Sequence, residues 1–155
     1  MRVPPPLVAL AAALAQRALT GATPTPDAGR VAVTGTLSVA SMALAGAAAS
    51  HFRRSGTPVD PIHPEAASVL VTSGANSISR NPMYIGMTGL LVAHALWRSS
   101  WVALLPAAAF VVLIDRFQIQ AEESALAAMF GAEFEAYRAA SPRWLDRRSV
   151  DIVKA

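Results

Sequence analysis

The chain has 155 residues, 54% of them hydrophobic and only 15% charged, whereas an average soluble domain has about 25% charged residues, so the composition indicates a single membrane domain. The absence of cysteine excludes disulfides, thiolate metal ligands and thiol nucleophiles, and no metal site is predicted. A net charge of +3 without a long basic run, together with few aromatic residues, argues against nucleic-acid binding.

Two apolar segments near the beginning of the sequence are predicted to be membrane spans, which together occupy residues 1–52. Residues 31–50 carry no charge and are long enough, as a helix, to cross a hydrocarbon core of about 30 Å. Residues 7–19 are interrupted by two polar side chains. Arg2 and the apolar stretch after it also match a cleavable signal peptide, but we favour a retained span because the next apolar segment follows closely.

Residues 53–81 are predicted to form a polar cytoplasmic loop. Pro58, Pro61 and Pro64 disfavour a helix and stiffen the chain, and a long ordered loop in a compact protein is usually functional. A simple proline-rich linker explains this composition equally well, so both interpretations stay open.

A helical hairpin is predicted over residues 82–116. The segment is apolar over most of its length, and Ser99 and Ser100 indicate a turn near its middle. Helices of ~15 residues are only ~22 Å long, so we expect either longer helices or local thinning of the bilayer. Pro106 predicts a kink in the second helix of the hairpin.

The residues at the start of the hairpin form a candidate anion site. Asn81 is favoured as an N-cap and Pro82 at the first helical position, so unpaired backbone N–H groups would lie at the membrane edge beside Arg80. Gly86 leaves room for a ligand to approach the backbone. In the alternative interpretation, which the residues alone favour, Arg80 only reaches lipid phosphates.

An amphipathic cytoplasmic helix is predicted over residues 117–140, followed by a tail over residues 141–155. Its apolar residues at helical spacing are Ile119, Leu126, Phe130, Phe134 and Tyr137. Glu123 falls on the same face, where a carboxylate must be paired or must bind a ligand. The alternatives are that Glu122 and Glu123 are both solvated, or that one of them pairs with Arg116.

The distribution of lysine and arginine predicts the orientation of the chain. Ten basic residues lie in the N-terminus, the 53–81 loop and the region after Asp115, against three elsewhere. We therefore expect these polar segments, and the active site, to face the cytoplasm from a bacterial inner membrane. The predicted fold is all-α, one domain over residues 1–155 with four transmembrane helices, the last two as a hairpin.

Two motifs flank the predicted hairpin. The first reads R-N-P-x-Y-x-G, and the second reads E-E-x-x-L followed by F-G-x-x-F-x-x-Y and P-R. In order and spacing they resemble the signature of the isoprenylcysteine carboxyl methyltransferase family, which is similar to the membrane phospholipid methyltransferases. Asn81 stands where the eukaryotic members have histidine.

The resemblance implies an integral membrane methyltransferase that uses S-adenosylmethionine and receives a lipophilic substrate from the membrane. The cofactor-binding residues that it implies are Arg80, Asn81, Pro82, Tyr84, Gly86, Glu122 and Glu123. The catalytic candidates are Tyr84, whose ring suits a sulfonium, and Arg143, which suits an anionic acceptor. The implied acceptor is an isoprenylcysteine-type carboxylate or another small lipid.

Two other functions are compatible with the sequence. One is a four-span small-molecule transporter, although such a protein would place an essential glutamate inside a span, whereas Glu122 and Glu123 follow the last predicted one. The other is a membrane scaffold that has lost activity. The small residues of the second span allow pairing with another copy, and the oligomeric state is not predicted.

Overall fold

The described part of the protein is mostly helical. A computed structural model describes residues 3–56 and 69–154, and within these ranges it contains no β-strand, which confirms the all-α prediction. The α-helices are α1 (Pro5–Leu19), α2 (Ala28–Arg54), α3 (Ala75–Ile78), α4 (Pro82–Trp97), α5 (Leu104–Leu113), α6 (Gln120–Phe130), α7 (Ala132–Ala140) and α8 (Arg147–Lys154). Residues 57–68 of the predicted 53–81 loop lie outside the described residues.

Within the described ranges, two helical segments are long and apolar enough to cross a membrane. One is α2, and the other is the continuous segment Trp101–Phe130, in which a 3₁₀ turn, α5, a π-helical segment and α6 follow one another. Helices α1 and α4 have 15 and 16 residues, and are shorter than a typical span of about 20 residues. A topology of four transmembrane helices that ends in a hairpin stays a prediction.

Helices α2 and α4 pack in close contact through small residues. A Cβ atom built on Gly86 would lie 2.7 Å from the carbonyl oxygen of Ser41 and 2.8 Å from Cβ of Ala45. Gly89, one turn further along α4, faces the side chain of Ser41. Residue numbers increase along α4 in the direction in which they decrease along α2, so the two helices run antiparallel. Small residues permit this close approach where lipid provides no hydrophobic drive for helix association.

Helix α1 is part of the core. Its partly buried residues Val8, Ala9, Ala12 and Ala13 pack against a buried cluster drawn from α4, α5 and the π-helical segment: Tyr84, Leu91, Ala107, Phe110, Ile114 and Ile119. Removal of α1 would expose this apolar surface. The retained first span stays a prediction.

A buried polar network joins α1 to the far end of α4. Gln16 has no exposed surface, and its Nε2 donates to the carbonyl oxygens of Leu91 (2.9 Å) and Ala103 (2.7 Å). Because Gln16 Oε1 can only accept, the 2.7 Å contact requires His94 Nδ1 to donate. Arg98 donates to the hydroxyl (2.7 Å) and the carbonyl oxygen (2.8 Å) of Thr20. These residues are called the distal network below.

The turn after α4 follows the prediction, but the expected effect of Pro106 does not. Helix α4 ends at Trp97, and Ser99 adopts a positive φ of 53° in the turn. Helix α5 begins only at Leu104, after the 3₁₀ turn, so Pro106 is its third residue. There the missing N–H of proline costs little, because first-turn donors have no helical partner. The irregular segment is instead the π helix Ile114–Ile119.

The predicted helix over residues 117–140 is two helices. Gly131 adopts φ 49°, a conformation that favours glycine, and it separates α6 from α7. The start of the predicted helix also differs from residue 117, because the π-helical segment extends to Ile119. The break changes the direction of the chain after Phe130. It lets α7 and the tail return to the start of α4, as the contacts below show.

Candidate functional site

The start of α4 is fixed by the tail of the chain. Asn81 occupies the N-cap position and Pro82 the first helical position, as predicted. The side chain of Asn81 does not cap the helix, however; its Nδ2 donates to the carbonyl oxygen of Arg143 at 3.0 Å. The backbone N–H of Asn81 donates to Ser79 Oγ at 3.1 Å. The conformation at the helix start therefore depends on residues about sixty positions away.

Residues 76–81 and 137–149 are joined by a series of hydrogen bonds, which we call the polar clasp. The bonds are Tyr137 Oη to Asn76 O (2.7 Å), Ser141 Oγ to Ser77 O (3.1 Å), Ser149 Oγ to Ile78 O (2.7 Å), Ser79 Oγ to Arg143 O (2.9 Å) and Arg80 N to Pro142 O (2.8 Å). Burial raises the pKa of Tyr137 to about 12, so its hydroxyl stays a donor. The clasp places the two sequence motifs side by side.

Arg80 and Glu123 form an ion pair between the two motifs. Arg80 Nη2 lies 2.7 Å from Glu123 Oε1, and the two side chains are only 9% and 13% exposed. Arg80 Nη1 also donates to the carbonyl oxygens of Arg138 (3.2 Å) and Ser141. Arg80 is thus buried in protein, contrary to the interpretation in which it reaches lipid phosphates. Glu123 is paired, as its position on an apolar face requires.

Arg143 binds both oxygens of the same carboxylate. Its Nε donates to Glu123 Oε1 at 3.2 Å, its Nη2 donates to Glu123 Oε2, and its Nη1 lies 3.3 Å from Asp115 Oδ1. The hydrogen bond with Glu123 raises the pKa of Arg143 above its ordinary value. The guanidinium of Arg143 is therefore already paired with two carboxylates. Its predicted catalytic role, to orient an anionic acceptor, stays a prediction.

Tyr84 and Glu122 lie beside this ion-pair cluster. The Tyr84 hydroxyl donates to Glu122 Oε1 at 2.6 Å, and Gln118 Nε2 donates to the same oxygen at 2.7 Å. Glu122 is therefore not solvated, contrary to one alternative, and Arg116 pairs with Asp115 at 3.8 Å. The described residues provide no hydrogen bond to Glu122 Oε2. This oxygen can accept a hydrogen bond from a ligand.

One predicted cofactor residue has a different environment from the others. Arg80, Asn81, Tyr84, Glu122, Glu123 and Arg143 come together around the clasp, and Pro82 begins the helix that carries Tyr84. Gly86 instead contacts Ser41 and Ala45 of α2, where it serves helix packing. Its assignment to the cofactor stays a prediction.

Sequence reasoning did not find three residues that complete the cluster. Asp115 Oδ1 accepts from Trp144 Nε1 at 2.9 Å as well as from Arg143, and Gln118 orients Glu122. The available signal was a polar side chain within or just after an apolar run, which is costly to bury unless it has a partner. Among the described residues, no group of three His, Cys, Asp or Glu side chains is arranged to hold a metal ion.

Comparison with known proteins gives one family match. A family model described as phospholipid methyltransferase matches residues 30–133, more than half of the chain. An uncharacterized protein of Haemophilus influenzae is 36% identical over 63 residues, which are 41% of this chain and the whole of that protein. No solved structure matches. The matched region contains both halves of the Arg80–Glu123 pair, but neither α1 nor the second half of the clasp.

Proposed function

Since the chain belongs to the phospholipid methyltransferase family and is a membrane methyltransferase, we propose that it transfers a methyl group from S-adenosylmethionine to a lipophilic acceptor that arrives through the membrane. The observation that carries this proposal is the 2.7 Å contact between Arg80 and Glu123. It joins two motifs that are 43 residues apart in the chain into one polar cluster.

The cluster has polar atoms that suit S-adenosylmethionine. The Nε atom of Arg80 is a buried donor without a hydrogen-bond partner among the described residues, and it suits the cofactor carboxylate. Glu122 Oε2 suits the ammonium group or a ribose hydroxyl. Among the described residues, Tyr84 and Gln118 hold Glu122 and no arginine does, so this carboxylate also suits a cofactor bearing a sulfonium.

The protein residues would act mainly by positioning. When bound, the cofactor supplies an electrophilic methyl group on its sulfonium. Tyr84 and Gln118 hold Glu122, while Arg80 and Arg143 hold Glu123, so both carboxylates are oriented before any ligand binds. Such preorganisation lowers the entropic cost of an in-line displacement.

The charge pairing bears on the identity of the acceptor. Arg80 and Arg143 both pair with carboxylates, so an isoprenylcysteine-type carboxylate would have to displace an internal partner. A small lipid with a neutral or amine headgroup would not have to displace either carboxylate. Incubation of membranes with methyl-labelled cofactor, followed by lipid separation, distinguishes the two: we expect label in a lipid extract, and label only in an added isoprenylcysteine would favour the carboxylate.

The main experiment is calorimetry on detergent-purified protein. We expect the wild type to bind S-adenosylmethionine, and Arg80→Ala and Glu123→Ala to bind at least tenfold more weakly, since each removes one member of the buried Arg80–Glu123 pair. Arg138→Ala is the matched control, because its pair with Glu135 is about half exposed. A wild type that releases no heat would refute the proposal, and binding without turnover on any lipid would indicate an inactive scaffold.

The proposed cytoplasmic orientation can be tested separately. The chain has no cysteine, so Lys154→Cys introduces a single labelling site near the C-terminus. We expect an impermeant thiol reagent to label this variant only after the cells are opened. Labelling in intact cells would place the tail, and with it the polar clasp, on the opposite side of the membrane.

A further inference from the structure

Asp115 lies in the π-helical segment between α5 and α6, eight residues before Glu123. In a regular α-helix, at ~100° per residue, the two side chains would point ~80° apart. The wider turns of a π-helix rotate less per residue and reduce this angle. The π-helical segment therefore lets two carboxylates eight positions apart face the same guanidinium, and single π turns of this kind are frequent at functional sites.

The contacts of Asp115 add a second carboxylate to the ion-pair cluster, beside Arg143. Its Oδ1 accepts from Arg143 Nη1 (3.3 Å) and from Trp144 Nε1 (2.9 Å). The other two donor nitrogens of Arg143 reach Glu123. The guanidinium is thus held between two carboxylates, and its backbone neighbour Trp144 is tied to one of them. Among the described residues, Asp115 makes no hydrogen bond or ion pair with Tyr84 or Glu122, so any influence on those residues is indirect.

We propose that Asp115 is a positioning residue: it fixes the guanidinium of Arg143, and thereby the orientation of the Glu123 carboxylate. Without Asp115, Arg143 loses a charged partner and regains side-chain freedom, which weakens its two-point contact with Glu123. The expected effect on cofactor binding rests on the proposed function. The coupling between Asp115 and Glu123 through Arg143 does not.

Trp144 provides a reporter of this coupling that needs no ligand. The chain has three tryptophans, and Trp97 and Trp101 are exposed, so Trp97→Phe and Trp101→Phe together leave Trp144 as the single emitter. In this background we expect Glu123→Gln to shift the Trp144 emission, and expect no such shift once Asp115→Ala is present. If Glu123→Gln leaves the Trp144 emission unchanged while Asp115 is present, the proposal is overturned.

Binding measurements then test the consequence for the site. We expect Asp115→Ala to weaken binding of S-adenosylmethionine about tenfold, and Asp115→Asn, which keeps an acceptor for Trp144, about threefold. Glu135→Ala, which removes an exposed carboxylate, is the matched control and should bind as the wild type does. Unchanged affinity in Asp115→Ala would show that Asp115 only anchors the tail.

The two sets of results separate the possible failures. If the wild type does not bind the cofactor, the proposed function fails, while the Trp144 emission still decides whether Asp115 positions Glu123. If the wild type binds and the emission coupling is absent, only the positioning role fails. Thermal unfolding of each variant in detergent verifies that the compared proteins are folded. If Asp115→Ala is not folded, Asp115→Asn takes its place in the comparison.

Discussion

The two ends of α4 each carry a buried polar network, and the networks differ in what their side chains bind. In the distal network, Gln16 and Arg98 donate mainly to backbone carbonyl oxygens of neighbouring helices and turns. At the other end, Arg80 and Arg143 meet the carboxylate of Glu123. The first network ties backbone segments together, whereas the second also concentrates charge.

The difference shows which network is suited to bind a ligand. The amide of Gln16 has partners for both of its ends, so it has little capacity left. Beside the ion-pair cluster, Glu122 Oε2 and Arg80 Nε have no hydrogen bond from the described residues. Of these two atoms Arg80 Nε is also buried, and a buried polar group without a partner is rare in folded proteins and indicates a site that a ligand completes. We therefore expect the distal network to affect stability alone.

The largest effect is expected for Arg80→Ala. It leaves Glu123, 13% exposed, without one of its two arginine partners and also removes the donors to the carbonyl oxygens of Ser141 and Arg138. Loss of one member of a buried pair typically costs about 3–5 kcal/mol, so we expect a destabilisation of this size in chemical unfolding, together with the loss of cofactor binding. In Arg138→Ala the change should stay below about 1 kcal/mol. Equal effects of the two variants would mean that burial does not distinguish these pairs.

A smaller effect, on stability alone, is expected for Gln16→Ala. The substitution removes an amide with no exposed surface, with its two bonds to the carbonyl oxygens of Leu91 and Ala103, and leaves His94 Nδ1 without its acceptor, which should cost about 2–4 kcal/mol. The midpoint of thermal unfolding in detergent measures this. Arg17→Gln, at an exposed neighbouring position, is the control. If cofactor affinity of folded Gln16→Ala fell as far as in Arg80→Ala, the distinction between the networks would be lost.

The ion-pair cluster was partly predictable from the sequence, but the distal network and the clasp were not. Helical periodicity placed Glu123 on an apolar face, where a charged side chain must be paired or bind a ligand. The motifs related Glu123 to Arg80. Ser79, Ser141 and Ser149 act through backbone carbonyl oxygens, and such bonds impose no spacing on the sequence. The π-helical segment, which brings Asp115 to Arg143, likewise follows from tertiary packing rather than from a local pattern.

The middle of α4, between the two networks, provides a third and smaller test. Gly86→Ala would bring a Cβ within 2.7 Å of a carbonyl oxygen of α2, and backbone must move to accommodate it. Overpacking of this kind costs about 1–3 kcal/mol. Gly46→Ala is the matched control, since no atom lies within 4 Å of its Cβ position, and it should be neutral or stabilising by up to about 1 kcal/mol. Equal melting temperatures of the two variants would contradict the close approach of α2 and α4.

The smallest change in stability is expected for Tyr84→Phe, which removes a single hydroxyl from the clasp end of α4. Gln118 still donates to Glu122 Oε1, so we expect a loss of only about 1 kcal/mol in unfolding experiments. Because Glu122 loses one of its two anchors, cofactor affinity should fall about threefold to tenfold. Thr88→Val, which removes a hydroxyl bonded to the Tyr84 carbonyl oxygen within α4, is the control and should leave affinity unchanged. An unaltered affinity in Tyr84→Phe would mean that Gln118 alone orients Glu122, and that the tyrosine hydroxyl serves stability as the side chains of the distal network do.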